Sequence, residues 1–147
     1  MATVAAMELE FNVQTAQVGD EMFVVSVTGE ADMHTAPELE RELQDVLRLG
    51  GRSAVVDLVD VGFIDSTALG LLLRFQPRFR TRGGDLVLVS ADRRVLRTFE
   101  ITGLDRIFTI EQRLGDAVAQ MCADRASSNG ASGNGVALRE PAVKPAA

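Results

Sequence analysis

The feature that most constrains the fold is a run of β-branched and apolar residues, "SAVVDLVDV", set between two stretches patterned as helices. A strand so rich in valine is suited to burial on both faces, as in a parallel sheet. The stretch before it, "TAPELERELQDVLRLGG", puts Leu39, Leu43, Val46 and Leu47 on one helical stripe. Thr35 and Glu38 have the spacing of a capping box, Pro37 lies in the first turn, and Gly50 and Gly51 mark the end. The stretch after it, "STALGLLLRFQPRFRTRGG", predicts a second helix closed by Gly83 and Gly84. Pro77 is expected to kink or shorten that helix.

The alternation continues. "DLVLVS" predicts a strand, "ADRRVLRTFEITG" a third helix stopped by Gly103, and "RIFTI" a short strand. In "EQRLGDAVAQMCAD", a last helix, Leu114, Val118, Met121 and Cys122 share one side, with Cys122 expected to be buried as a small apolar residue. Near the start, "LEFNVQTAQV" and "MFVVSVTG" flank Gly19-Asp20 and predict a hairpin. Single strands separated by helices need parallel connections, and the hairpin adds an antiparallel edge. The expected fold is α/β: one domain with a mixed, mostly parallel sheet, packed α-helices and an N-terminal β-hairpin. Residues 1–8 are expected to be a flexible N-terminus and residues 9–124 the folded domain. Residues 125–147, "RASSNGASGNGVALREPAVKPAA", are too poor in large apolar residues to offset their ordering entropy and are expected to form a disordered tail.

Composition narrows the function. The 147 residues are 46% hydrophobic and carry a net charge of −6, which suits a chain with a real core and argues against a nucleic-acid partner, whose phosphates need a basic face. The tail holds three basic residues and one acidic one, so the rest of the chain is more acidic still. The arginines Arg74, Arg78, Arg80 and Arg82, and Arg93, Arg94 and Arg97, are therefore read as solvated helix faces. No apolar run approaches the roughly 20 residues that span a bilayer, and "MATVAAMELE" turns acidic too soon for a signal peptide. One cysteine and one histidine exclude an internal disulfide and a Cys/His zinc site, and suggest a cytoplasmic chain without a cofactor or metal.

The chemistry concentrates in "GFIDSTALG", where a strand hands over to a helix. Three readings compete. Asp65 or Ser66 is an N-cap that accepts hydrogen bonds from free backbone N–H groups. Alternatively, Ser66 is a nucleophile paired with His34. The surrounding residues Ile64 to Ala68 lack the G-x-S-x-G pattern of a nucleophile elbow, however, and no oxyanion-hole or phosphate-loop segment accompanies them. In the third reading Ser66 is presented for phosphorylation. A phosphate at a helix N-terminus meets free N–H groups and a favourable dipole, while its added charge of about −1.5 to −2 spoils an acidic interface formed with Asp65 and Asp32.

These residues carry a resemblance. "TGEADMHTAPELERELQ", "SAVVDLVDVGFIDSTALGLLL" and "GGDLVLVSADRRVLRTFEITGLDRIFTI" are similar in order and spacing to the STAS domain of bacterial anti-sigma factor antagonists, across nearly the whole folded part. The resemblance implies that the unphosphorylated chain binds an anti-sigma factor that is also a serine kinase of the GHKL type, freeing a sigma factor. It makes Ser66 the phosphoacceptor, with Thr67 a second hydroxyl, and makes Asp65 its motif neighbour. Asp32 becomes the acidic loop position facing the kinase, and a phosphatase of the PP2C type resets the switch. Ala68 stands where family members commonly have glycine. The apolar run Leu69, Leu71, Leu72, Leu73 and Phe75 is read first as core, with a partly exposed docking patch beside Ser66, Leu69 foremost, as the alternative. Three rivals remain: a STAS accessory subunit of a lipid-transport ABC complex working without phosphorylation, a hydrolase on Ser66 and His34, and a scaffold in a stress-sensing assembly.

Overall fold

The computed structural model describes residues 10–123. The expectations for residues 1–8 and for the tail lie outside the described residues. Five strands form one sheet in the order β1-β2-β3-β4-β5. Strands β1 (Asn12–Val18) and β2 (Met22–Ala31) make the antiparallel hairpin, turning at Gly19 with φ of 75°. Strands β3 (Ser53–Ile64), β4 (Leu86–Val89) and β5 (Ile110–Glu111) follow in parallel. Helix α1 (Ala36–Arg48) joins β2 to β3, α2 (Ser66–Arg80) joins β3 to β4, and α3 (Arg93–Thr102) precedes β5. A helix α4 occupies 114–123.

The period of two in the strands sorts the core. Phe23, Val25 and Val27 of β2, Ala54, Val56 and Leu58 of β3, and Leu86 and Leu88 of β4 enter one cluster with Leu39, Leu43 and Val46 of α1 and Leu72, Phe75 and Phe79 of α2. Their neighbours Val24, Val55, Val87 and Val89, on the opposite face, are buried as well. This two-sided burial is what a valine-rich parallel strand needs. Phe99 of α3 meets Phe108 edge to face, with centroids 6.0 Å apart.

Several expectations need correction. Thr35 makes no side-chain cap to α1; its hydroxyl is engaged in the preceding turn, so the capping box with Glu38 does not form. Helix α2 runs three residues past Pro77 to Arg80. The ring removes one helical hydrogen bond, and burial of Phe75 and Phe79 on either side holds the last turn. The strand expected in "RIFTI" is only Ile110–Glu111, because residues Leu104–Arg106 form a 3-10 turn. Cys122 is exposed, not buried. The arginines are not merely a solvated face. Arg82 donates to the carbonyls of Leu47 (2.8 Å), in the last turn of α1, and Gly51 (2.9 Å), just beyond it, and Arg78 lies 4.8 Å over the Phe75 ring. Gly84 is required by close approach: a Cβ there would stand 1.9 Å from the Arg52 carbonyl oxygen.

Candidate functional site

β3 is longer than its apolar run suggested and ends beside the end of β2, with Ala31 paired to Ile64. Two register shifts, between Ser26 and Thr28 and between Gly29 and Glu30, place extra residues in β3 and bend this end of the sheet. Two connections emerge here together: the turn from β2 into α1 and the step from β3 into α2.

Asp65 joins them. Its backbone is extended (φ −106°, ψ −179°), as an N-cap requires. One carboxylate oxygen accepts the Ala68 N–H at 3.0 Å, capping α2. The other accepts the Met33 N–H at 2.9 Å, from the opposite connection. The Asp65 N–H donates to the Ala31 carbonyl at 3.0 Å. Ser66 and Thr67 then open α2, both exposed. Ala68 is fully buried, so the position is a packing site.

The facing turn is rigid by its own hydrogen bonds. The Asp32 carboxylate accepts from the N–H groups of His34 (2.9 Å) and Thr35 (3.1 Å). The Asp32 N–H donates to the Thr35 hydroxyl at 2.9 Å, and that hydroxyl donates to the Glu30 carbonyl at 2.8 Å. Burial pulls the Asp32 carboxyl upward, but the hydrogen bonds from Thr35 and His34 outweigh it and leave the group below the usual aspartate range. With Asp32 engaged inward, Met33 is what protrudes, at 62% exposure.

A groove of about 660 Å³ runs alongside, lined by Glu30, Asp32, Thr35, Asp60, Phe63 and Arg94 among others. Phe63 is 49% exposed. Arg94 pairs with Asp92 at 3.0 Å. Its guanidinium covers Gly62, where a Cβ would come within 2.6 Å of it.

Against the expectations, the structure brings Asp32, Asp65, Ser66 and Thr67 to one end of the sheet. Leu69 follows the core reading and not the docking-patch alternative: it is 6% exposed and belongs to the core cluster, because the first turn of α2 faces the sheet at that position. His34 is exposed, and among the described residues no hydrogen bond joins it to Ser66. Met33 and Phe63 were missed. Met33 had a signal, as a long apolar residue stranded in the polar turn "EADMHT"; Phe63 had none, because the strand period puts it on the face of the inward Val61 and only the bulge between them separates the two. Among the described residues no His, Cys, Asp or Glu group is arranged to hold a metal ion, and no helix is long and apolar enough to cross a membrane.

The family model described as the STAS domain matches residues 13–117. The chain belongs to the STAS domain family. This STAS domain is 33% identical over 104 residues to an anti-sigma-B factor antagonist of Staphylococcus aureus, an alignment covering 71% of this chain and 95% of the relative. It is similar to the crystal structure of an anti-sigma factor antagonist from Mycobacterium paratuberculosis, with a TM-score of 0.70, 28% identity, and coverage of 76% and 94% of the two chains. It shares its fold with the unphosphorylated anti-sigma factor antagonist SpoIIAA, with a TM-score of 0.68, 18% identity, and coverage of 76% and 97%. The matched span includes all of the Asp32 turn and the Asp65–Ser66 step of this STAS domain.

Proposed function

We propose that this protein is a cytoplasmic anti-sigma factor antagonist, regulated at Ser66. Unphosphorylated, it binds an anti-sigma factor that is also a GHKL-type serine kinase, and a sigma factor is freed. Phosphorylated, it lets that partner go, and a PP2C-type phosphatase restores it. On this reading it is a kinase substrate and not an enzyme.

The observation that carries the proposal is the setting of Ser66. It is exposed at the first position of α2, and among the described residues its hydroxyl enters no hydrogen bond. The capping work that serine often does is done instead by Asp65. A hydroxyl that neither caps nor packs is free to receive a phosphoryl group. That group would sit where the helix dipole favours negative charge, so the fold tolerates it. On a surface that packs against a partner, the same phosphate would have to be desolvated, which costs affinity. The curated relative at 33% identity, named an anti-sigma-B factor antagonist, supports the same reading.

The test is a pull-down from host lysate with tagged wild type, Ser66→Ala and Ser66→Glu, read by mass spectrometry. An anti-sigma kinase held by wild type and Ser66→Ala and lost with Ser66→Glu is the expected result. Equal retention of that kinase by all three overturns the switch. Transporter ATPase subunits held equally by all three replace the proposal with the lipid-transport reading.

A further inference from the structure

Asp65 holds two segments that lie 32 residues apart in the chain. A cap needs one acceptor, and Asp65 supplies it to Ala68 at 3.0 Å. The second oxygen is not needed by α2. It reaches across to the Met33 N–H at 2.9 Å, in a turn whose other hydrogen bonds run within residues 30–36. The main-chain bond from Asp65 to Ala31 anchors the base of the same connection. What projects from the turn is the Met33 side chain, 62% exposed, beside an α2 start that presents Ser66 and Thr67. An unbranched thioether on the surface is an adaptable contact for a partner.

We infer that Asp65 is a positioning residue: its second carboxylate oxygen fixes the Met33 turn against the start of α2, so that Met33, Ser66 and Thr67 meet the anti-sigma factor as one preorganised surface. The inference rests on the functional reading above for the identity of the partner and on geometry for the coupling. A turn already held in its bound position loses less conformational freedom on association, which raises affinity without adding a contact. Aspartate suits the task where serine would not. Both cap a helix, but only the longer carboxylate has two acceptors, one for each segment.

The experiment separates the cap from the clamp. Asp65→Ser keeps a capping hydroxyl for α2 and lacks the second acceptor; Asp65→Asn keeps the length but has only one acceptor oxygen. Amide hydrogen exchange is followed by NMR on the isolated protein, and affinity is measured for the purified anti-sigma factor identified by the pull-down. In Asp65→Ser, exchange at Met33 is expected to rise about tenfold with Ala68 protection retained, and affinity to fall by about tenfold. Unchanged exchange at Met33 overturns the clamp. Faster exchange at Met33 with unchanged affinity overturns its role in recognition. Should Asp65→Ser fail to fold, the same two readings on Asp65→Asn decide the matter. If wild type binds no anti-sigma factor, the functional reading fails, and the exchange result still decides whether Asp65 couples the two segments.

Discussion

Helices α2 and α3 begin in the same way and end up with different roles. Each follows a strand, and each is capped by an aspartate whose carboxylate accepts backbone N–H groups of the first turn. Asp92 accepts from Arg94 (2.8 Å) and Val95 (3.3 Å) and pairs its other oxygen with the Arg94 side chain, so every partner lies within its own helix. Asp65 spends its second oxygen on Met33, in another connection. α3 opens with two arginines, and α2 opens with two exposed hydroxyls. The same capping device is thus self-contained in one helix and tied to a protruding turn in the other. The difference lies in where the second acceptor points, to Met33 in one case and to Arg94 in the other.

The comparison can be broken most severely at the first helical position. Ser66→Glu is expected to weaken anti-sigma factor binding by about a hundredfold, since like-charge juxtaposition at an interface costs several kcal/mol. Arg93→Glu, the equivalent change in α3, is expected to leave binding within about twofold, because α3 presents no part of the proposed surface. Titration calorimetry with the purified partner distinguishes them; equal losses would mean that overall charge, not position, sets affinity.

Removing the caps comes next. Asp65→Ala is expected to destabilise the fold by about 2 kcal/mol, from a lost cap plus a lost cross-segment hydrogen bond. Asp92→Ala is expected to cost about 1 kcal/mol, the usual value for a cap alone. Urea unfolding monitored by circular dichroism measures both, and a larger loss at Asp92 would reverse the ranking argued here.

Acid should reveal the caps as well. The Arg94 side chain, partly offset by burial and aided by the Arg94 and Val95 N–H groups, holds Asp92 below the usual aspartate range. Asp32 is lowered too. A lowered folded-state pKa means that folding releases a proton. The stabilisation is therefore fully present above the unfolded aspartate value of about 3.9 and is lost as pH falls through the folded value. Stability of the wild type should drop below about pH 4, and Asp92→Asn and Asp32→Asn should each flatten that fall. A parallel acid limb in either variant would exclude that residue as a cause.

The smallest effect belongs to Arg94→Ala. The Asp92–Arg94 pair is exposed on the arginine side, 76% for its side chain, and such pairs contribute about 0.5 kcal/mol or less. A larger loss would mean that Arg94 supports the groove through its cover over Gly62.

Much of this was legible in the residues. The valine-rich β3, the leucine stripe of α1, the hairpin at Gly19 and the stop at Gly103 follow from periodicity and from local backbone preferences, and these act over a few neighbours. The position of Ser66 at a strand-to-helix step was legible for the same reason. Thr35 shows where such reading stops: its spacing to Glu38 fits a capping box, yet its hydroxyl bonds Glu30 and Asp32. Leu69 shows a milder case: its apolar run favoured the core, and the sheet beneath α2 removes the surface alternative. By itself, then, the sequence determined the order of strands and helices, their apolar faces and the step that carries Ser66, because each depends on short-range pattern. Only the tertiary structure decided that Asp65 reaches Met33 and that Phe63 stays exposed. Those outcomes depend on β2 and β3 ending side by side, a parallel pairing between segments about thirty residues apart that no local preference encodes.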